Sequence, residues 1–158
     1  MVFRTFCLWS FFVFSVPAYS ANLAGSGERL AIWQKIQGDW RTGCAPQKGG
    51  NVFEEITLSV TYTELKFKST KYKSSFCNQV VDVRQDAYKY VISGQAGSLS
   101  GKEAYAIDVK PLKAISGFRL HPLNIVYFED GHLYFGGNSA GAANERANVL
   151  NLSQPFSR

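Results

Sequence analysis

At 158 residues, with 17 basic and 12 acidic side chains and 46% hydrophobic content, the chain is the size of one domain with a real core. A net charge of +5 supports loose attraction to acidic surfaces or solutes and does not establish a nucleic-acid partner. Only two histidines, His121 and His132, are present, and neither stands at zinc-site spacing from a cysteine, so no metal and no cofactor is expected.

The first twenty residues read as a leader. Arg4 supplies a positive start, Thr5 to Val16 is an apolar run, Pro17 breaks it, and Ala18-Tyr19-Ser20 places small residues before a cut at Ala21. That is the layout of a secretory signal peptide, so 1–20 is expected to be cleaved and 21–158 exported, to a periplasm or to the outside. The run is shorter than the roughly 20 apolar residues a spanning helix needs, and no later stretch approaches that length. The mature chain is therefore expected to carry no transmembrane segment, and export argues against a nucleic-acid partner.

Cys7 leaves with the leader, and Cys44 and Cys77 remain. An even count in an exported protein points to a disulfide. Two free buried thiols, or half of a metal site, are the alternatives.

A short helix is predicted over Glu28 to Ile36, with Leu30, Trp33 and Ile36 as its buried stripe and Glu28 in the first turn, where the helix dipole favours a carboxylate. From Gln37 onward the period becomes two. Val52, Ile56, Leu58 and Val60 share one parity, as do Leu65 and Phe67, then Tyr88, Tyr90 and Ile92, then Tyr105, Ile107 and Val109. Such runs read as half-buried strands. Glu129-Asp130-Gly131-His132 reads as a tight hairpin, since Asp-Gly readily takes positive φ. Gly136 to Asn144 is too rich in Gly, Ala and Asn for regular structure, and Arg146 to Leu152 is the expected last strand. About nine strands after one helix, with no repeat and no composition shift, predict a single all-β domain. The favoured form is an antiparallel up-and-down barrel of about eight to ten strands.

Gly38-Asp39-Trp40 follows the helix and opens the strand series. It resembles the Gly-x-Trp signature of the lipocalin and calycin barrels. That resemblance implies that Trp40 closes one barrel end and that an arginine near the last strand, here Arg146, stacks on it. Gly38-Asp39-Trp40-Arg41-Thr42-Gly43-Cys44, Ser75-Phe76-Cys77, and Leu133-Tyr134-Phe135-Gly136-Gly137 through Arg146 cover more of the chain. They resemble the small extracytoplasmic domain of the Wnt-antagonist family named for down-regulation by adenomatosis polyposis coli, and similar bacterial lipocalin-like proteins. Ala147 departs from that pattern, which often has Pro after the arginine. The resemblance implies a barrel that contacts lipid or another apolar ligand, and no catalytic residue.

Strand parity puts Phe67, Tyr88, Tyr90 and Tyr105, with Phe128 and Phe135, on faces that would line such a barrel. Aromatic walls with phenol hydroxyls suit an apolar ligand with one polar end. The same residues equally suit a barrel filled by its own side chains.

Catalysis is not expected. No serine stands in a nucleophile elbow, Glu54 and Glu55 point to opposite faces of a strand, and both histidines fall in loops. Asp108 is either a buried carboxylate or a solvent-facing residue on a half-exposed strand. Lys66, Lys68, Lys71 and Lys73 read either as a cationic binding surface or as the solubilising charges of an edge strand. The functional expectation is an exported non-catalytic module binding an apolar or lipid-like ligand. The alternative is a filled barrel that engages an envelope or extracellular protein partner.

Overall fold

The computed structural model describes residues 24–137 and 145–158. The expected leader and most of the expected irregular Gly/Ala/Asn segment lie outside the described residues. One helix, α1 (Ala24–Ile36), precedes nine strands: β1 (Gly38–Arg41), β2 (Ala45–Pro46), β3 (Phe53–Val60), β4 (Glu64–Tyr72), β5 (Val80–Gly97), β6 (Glu103–Pro111), β7 (Leu123–Glu129), β8 (His132–Phe135) and β9 (Phe156–Ser157). Antiparallel pairing runs β1-β3-β4-β5-β6-β7-β8-β9 and returns from β9 to β1, so eight strands close a barrel and β2 adds to β3 outside the circuit. The all-β expectation holds, and the architecture is compatible with a lipocalin-like fold. No helix among the described residues is long and apolar enough to cross a membrane.

Alternation decides which side chains fill the barrel. Ile56, Leu58 and Val60 of β3, Leu65 and Phe67 of β4, Tyr88, Tyr90 and Ile92 of β5, and Ile107 and Val109 of β6 all enter one core. The β7–β8 hairpin turns at Asp130 and Gly131, with φ of 51° and 78°. Two successive positive φ angles match the right-handed twist of the strands they join, which is why Asp-Gly suits the position.

α1 starts at Ala24, earlier than expected, so Glu28 is past the first turn and outside the strongest reach of the dipole. Its carboxylate instead accepts from the Gln95 side chain at 3.3 Å. The buried stripe is Ile32 and Ile36, one turn apart, with Trp33 beside them. Leu30 is 50% exposed because it points away from that line. Trp33 meets Tyr62 and Tyr90 edge-on, so the helix stops the barrel mouth where β3 turns into β4.

Trp40 is buried at this helix end. Its indole N–H donates to the Ile36 carbonyl at 2.8 Å, satisfying one of the acceptors a helix leaves open at its C-terminus. The arginine that stacks on it is Arg158, with the guanidinium carbon 4.4 Å from the ring centroid, and not Arg146. Arg158 also donates to the carbonyls of Lys35 and Gln37, at 2.9 and 2.7 Å. Arg146 lies on the outside of the barrel, where it pairs with Asp108 at 2.6 Å and donates to the carbonyls of Asn124 and Ile107. The reason is parity: Asp108 faces outward between inward Ile107 and Val109, so an arginine bound to it cannot reach an inward indole.

Arg146 to Leu152 is correspondingly not the last barrel strand. It forms a single bridge, Leu150 to Gly136, and runs over the outer face as a strap. Ala147 and Leu150 pack there on Ala104 and Ile125, a second apolar cluster outside the barrel. Gly136 is required under this strap, since a Cβ would stand 2.7 Å from that of Ala147. The Ala147 N–H donates to the Leu123 carbonyl at 2.8 Å, a bond proline at this position would lose. Closure falls to two residues, Phe156 and Ser157, which bridge β8 to β1.

Cys44 and Cys77 are joined, with Cα atoms 6.2 Å apart and a separation of 33 positions in sequence. The bond ties the chain after β1 to the loop between β4 and β5. Cys44→Ser is expected to lower unfolding stability by about 3 kcal/mol through the freer unfolded chain, measured as the urea midpoint of the variant against the oxidised protein. Arg158→Ala should cost roughly 1 kcal/mol or more and change Trp40 emission. Arg146→Ala should leave that emission unchanged, and the reverse pattern would contradict the stacking assignment.

Candidate functional site

The six aromatic residues expected inside the barrel all lie in or against its core. Phe67, Tyr88, Tyr90 and Phe135 are buried, while Tyr105 and Phe128 are half-buried and pack on them. They face one another. Phe67 meets Tyr88 and Phe135 edge-on at 6.0 and 5.9 Å between centroids, and Phe128 meets Trp40 at 6.0 Å. Phe156 from the closing strand completes the cluster, 5.8 Å from Phe135.

The connection between β6 and β7 turns into this interior. Phe118 stacks on Phe67, centroids 4.4 Å apart and planes 23° from parallel. The Tyr88 hydroxyl donates to the Phe118 carbonyl at 2.7 Å and accepts the Leu120 N–H at 3.2 Å. Burial raises the Tyr88 phenol above its ordinary value, and the Leu120 N–H opposes it only in part, so the hydroxyl keeps its proton to donate. Tyr90 works similarly at the opposite mouth. Its hydroxyl donates to the Thr61 carbonyl at 2.7 Å, and burial pushes its pKa up to about 12.

Asp86 anchors the connection. Its side chain follows the inward parity of Tyr88 and Tyr90, and the residue is 2% exposed. One carboxylate oxygen accepts from the backbone N–H and hydroxyl of Ser116, at 2.7 and 3.2 Å. The other accepts from the N–H groups of Gly117 and Phe118, both at 2.7 Å. Burial by itself pushes this carboxyl up, but the three backbone donors and the hydroxyl outweigh it and hold its pKa below the ordinary aspartate value. Gly117 is needed at this approach, because a Cβ would stand 2.9 Å from that of Arg84 and 3.0 Å from an Asp86 oxygen.

Below Phe118 the barrel mouth leaves a recess of about 300 Å3, lined by Glu54, Ser69, Lys71, Arg84 and Arg119. It is polar. Glu54 accepts from the Ser69 hydroxyl and from Gln47, the latter at 2.6 Å, and Arg84 pairs with Asp82 at 2.8 Å. Its size is at the lower end for ligand sites, and its walls lack the apolar character that a fatty chain needs.

The outer wall holds a different concavity, of about 670 Å3. The side chains of Arg41, Thr57, Ser59, Lys66, Lys68 and Lys113 face it, above strands whose alternate residues Trp40, Leu58, Phe67 and Asp86 point inward. β4 is paired on both flanks, with β3 and with β5, so the edge-strand explanation for its lysines is overturned. Lys66 and Lys68 alternate outward from inward Leu65 and Phe67 on a central strand.

Both histidines have local tasks. His121 Nδ1 lies 3.0 Å from the Leu123 carbonyl, and His132 Nδ1 lies 2.9 Å from the Ser157 hydroxyl, helping to seat the closing strand. Among the described residues no three His, Cys, Asp or Glu side chains gather as a metal cluster. Two participants escaped the sequence reading. Asp86, rather than Asp108, is the buried carboxylate, and the signal was present: it precedes Tyr88 and Tyr90 at their parity, and a buried carboxylate requires donors. Arg158 had no signal beyond standing next to Phe156 and Ser157.

Comparison with protein-family models, with curated proteins and with solved structures found no match.

Asp86→Asn should lower stability by about 3 kcal/mol at neutral pH, because an amide nitrogen would face backbone N–H groups that now meet an oxygen. A carboxyl whose folded pKa is depressed stabilises above its unfolded value and loses that contribution as pH falls toward the folded one. Urea titrations at pH 7, 5 and 3 should therefore show the wild type losing stability below about pH 4, with the variant losing less across the same window.

Proposed function

We propose that this chain is an exported, non-catalytic binding module that works through its outer surface, with the barrel interior occupied by its own side chains. The observation that carries this is the stacking of Phe118 on Phe67, held by the Asp86 network, in the space a carried ligand would need. The leader-like pattern at 1–20 and the Cys44–Cys77 bond support an oxidising, exported setting. A lipocalin-like kinship, including the Wnt-antagonist domain, remains a resemblance of motifs carried by Trp40 and the cysteines. The partner on this reading is an envelope or extracellular component.

The competing reading is a carrier of an apolar or lipid-like ligand. The aromatic lining favours it, and it requires the connection after β6 to withdraw. An environment-sensitive apolar dye, together with fatty acids and lipid extract, separates the two. The disulfide-intact wild type is expected to take up none of them. Phe118→Ala should stay folded and gain dye emission, because removing a ring leaves an apolar void that such probes enter. Stoichiometric uptake by the wild type would establish the carrier and overturn the filled-barrel proposal.

A further inference from the structure

The outward concavity has a chemistry of its own. Strand register places two rows of side chains across it. In one, Arg41 of β1 stands opposite Thr57 of β3, then Lys68 of β4 and Gln85 of β5. In the other, Asp39 stands opposite Ser59, then Lys66 and Ala87. With strands about 4.8 Å apart, Arg41 and Lys68 are roughly 10 Å from each other across Thr57, and Lys66 and Lys68 are about 7 Å apart along β4. Lys113, from the connection after β6, overhangs the far side. Arg158 borders the near side, fixed in place by Trp40.

Small residues make the floor, and long cations make the walls. Lys66 is paired with Glu64 at 3.1 Å. Arg41, Lys68 and Lys113 take part in none of the ion pairs among the described residues. Asp39 is the one acidic side chain that faces the groove from these rows, since the other lining carboxylate, Asp86, points inward. Thr57, Ser59 and Gln85 present hydroxyl and amide groups between the charges, able both to donate and to accept.

We propose that this groove binds an extended anionic glycan, with carboxylate or sulfate groups against Arg41, Lys68 and Lys113 and sugar hydroxyls against Thr57, Ser59 and Gln85. An arginine and two lysines suit such anions, the guanidinium by a two-point contact and the ammonium groups as point charges. Single-stranded nucleic acid fits less well, because the two aromatic residues beneath the groove, Trp40 and Phe67, turn their rings into the core and leave no surface there on which bases stack. A bilayer fits less well because a planar headgroup layer does not enter a recess floored by Thr57 and Ser59. The inference deepens the proposed function and rests on it only in placing the working surface outside the barrel.

The test is calorimetric titration of the disulfide-intact protein with a heparin hexasaccharide and with oligogalacturonate. Neutral dextran, oligo-dT and phosphatidylglycerol vesicles serve as comparators. Saturable binding of an acidic glycan that weakens with salt is expected, with none for dextran. Lys68→Glu/Lys113→Glu should reduce glycan affinity by about tenfold or more, as reversal of two direct contacts implies. Lys89→Glu/Lys110→Glu alters net charge equally at an outward pair on β5 and β6 beyond the groove, and should leave affinity within about twofold. Equal loss in both double variants, absence of saturable glycan binding, or binding of vesicles or oligo-dT in preference to glycan would overturn the proposal. Phe118→Ala should leave glycan affinity unchanged. Failure of the groove is thus read from glycan titrations, and failure of the filled barrel from dye uptake.

Discussion

A single buried carboxylate organises the inside of this barrel. Asp86 is carried inward by the alternation of β5, where an unpaired charge would cost several kcal/mol. Its solution is local: three consecutive backbone N–H groups, from Ser116 to Phe118, close on its two oxygens. That requirement pulls the connection after β6 into the mouth, and the ring of Phe118 arrives on Phe67 as a consequence. Tyr88 then fastens the same segment from the next inward position of β5. A polar constraint thereby sets the packing of an apolar core.

The two mouths are closed by different physics. At the far end the plug is polar at its anchor and aromatic at its tip. At the near end α1 brings Ile32, Ile36 and Trp33, and the seal there is mainly apolar. What remains polar at that end is the helix C-terminus, whose carbonyls are taken by the Trp40 indole and by Arg158. Arg158 links three things in one side chain: the end of the helix, the first strand through its tryptophan, and the closing strand to which it is attached. The Cys44–Cys77 bond ties β1's exit to the β4–β5 loop independently of either plug.

The outer wall is treated unevenly. Over β6 to β8 the strap from Arg146 to Leu150 covers Ala104 and Ile125, and the Arg146–Asp108 pair pins its start. Over β1, β3, β4 and β5 no such cover lies among the described residues. Across the groove that surface is made mainly of threonine, serine, lysine and arginine, and elsewhere on β5 Val81, Val83 and Val91 are exposed. Covered apolar wall and open basic wall are two uses of the same alternation, and the second leaves a charged groove facing solvent.

Much of the barrel is legible in the sequence. Period-two alternation in Ile56-Leu58-Val60, Leu65-Phe67, Tyr88-Tyr90-Ile92 and Ile107-Val109 determined which side chains face inward, because strand geometry leaves only two faces to choose from. The Asp130-Gly131 turn and the lone cysteine pair were equally local matters of backbone conformation and count. The arginine that meets Trp40 was not legible, since it depends on which segment closes the barrel. Arg146 sits in a stretch that reads as a strand but finds its apolar partners, Ala104 and Ile125, on the outer wall. The standing of β4 as a central strand, the seating of Phe118 inside and the alignment of Arg41 with Lys68 across Thr57 likewise depend on pairings distant in sequence. Alternation fixes the face on which a side chain lies, whereas only the closed sheet decides which other side chains share it.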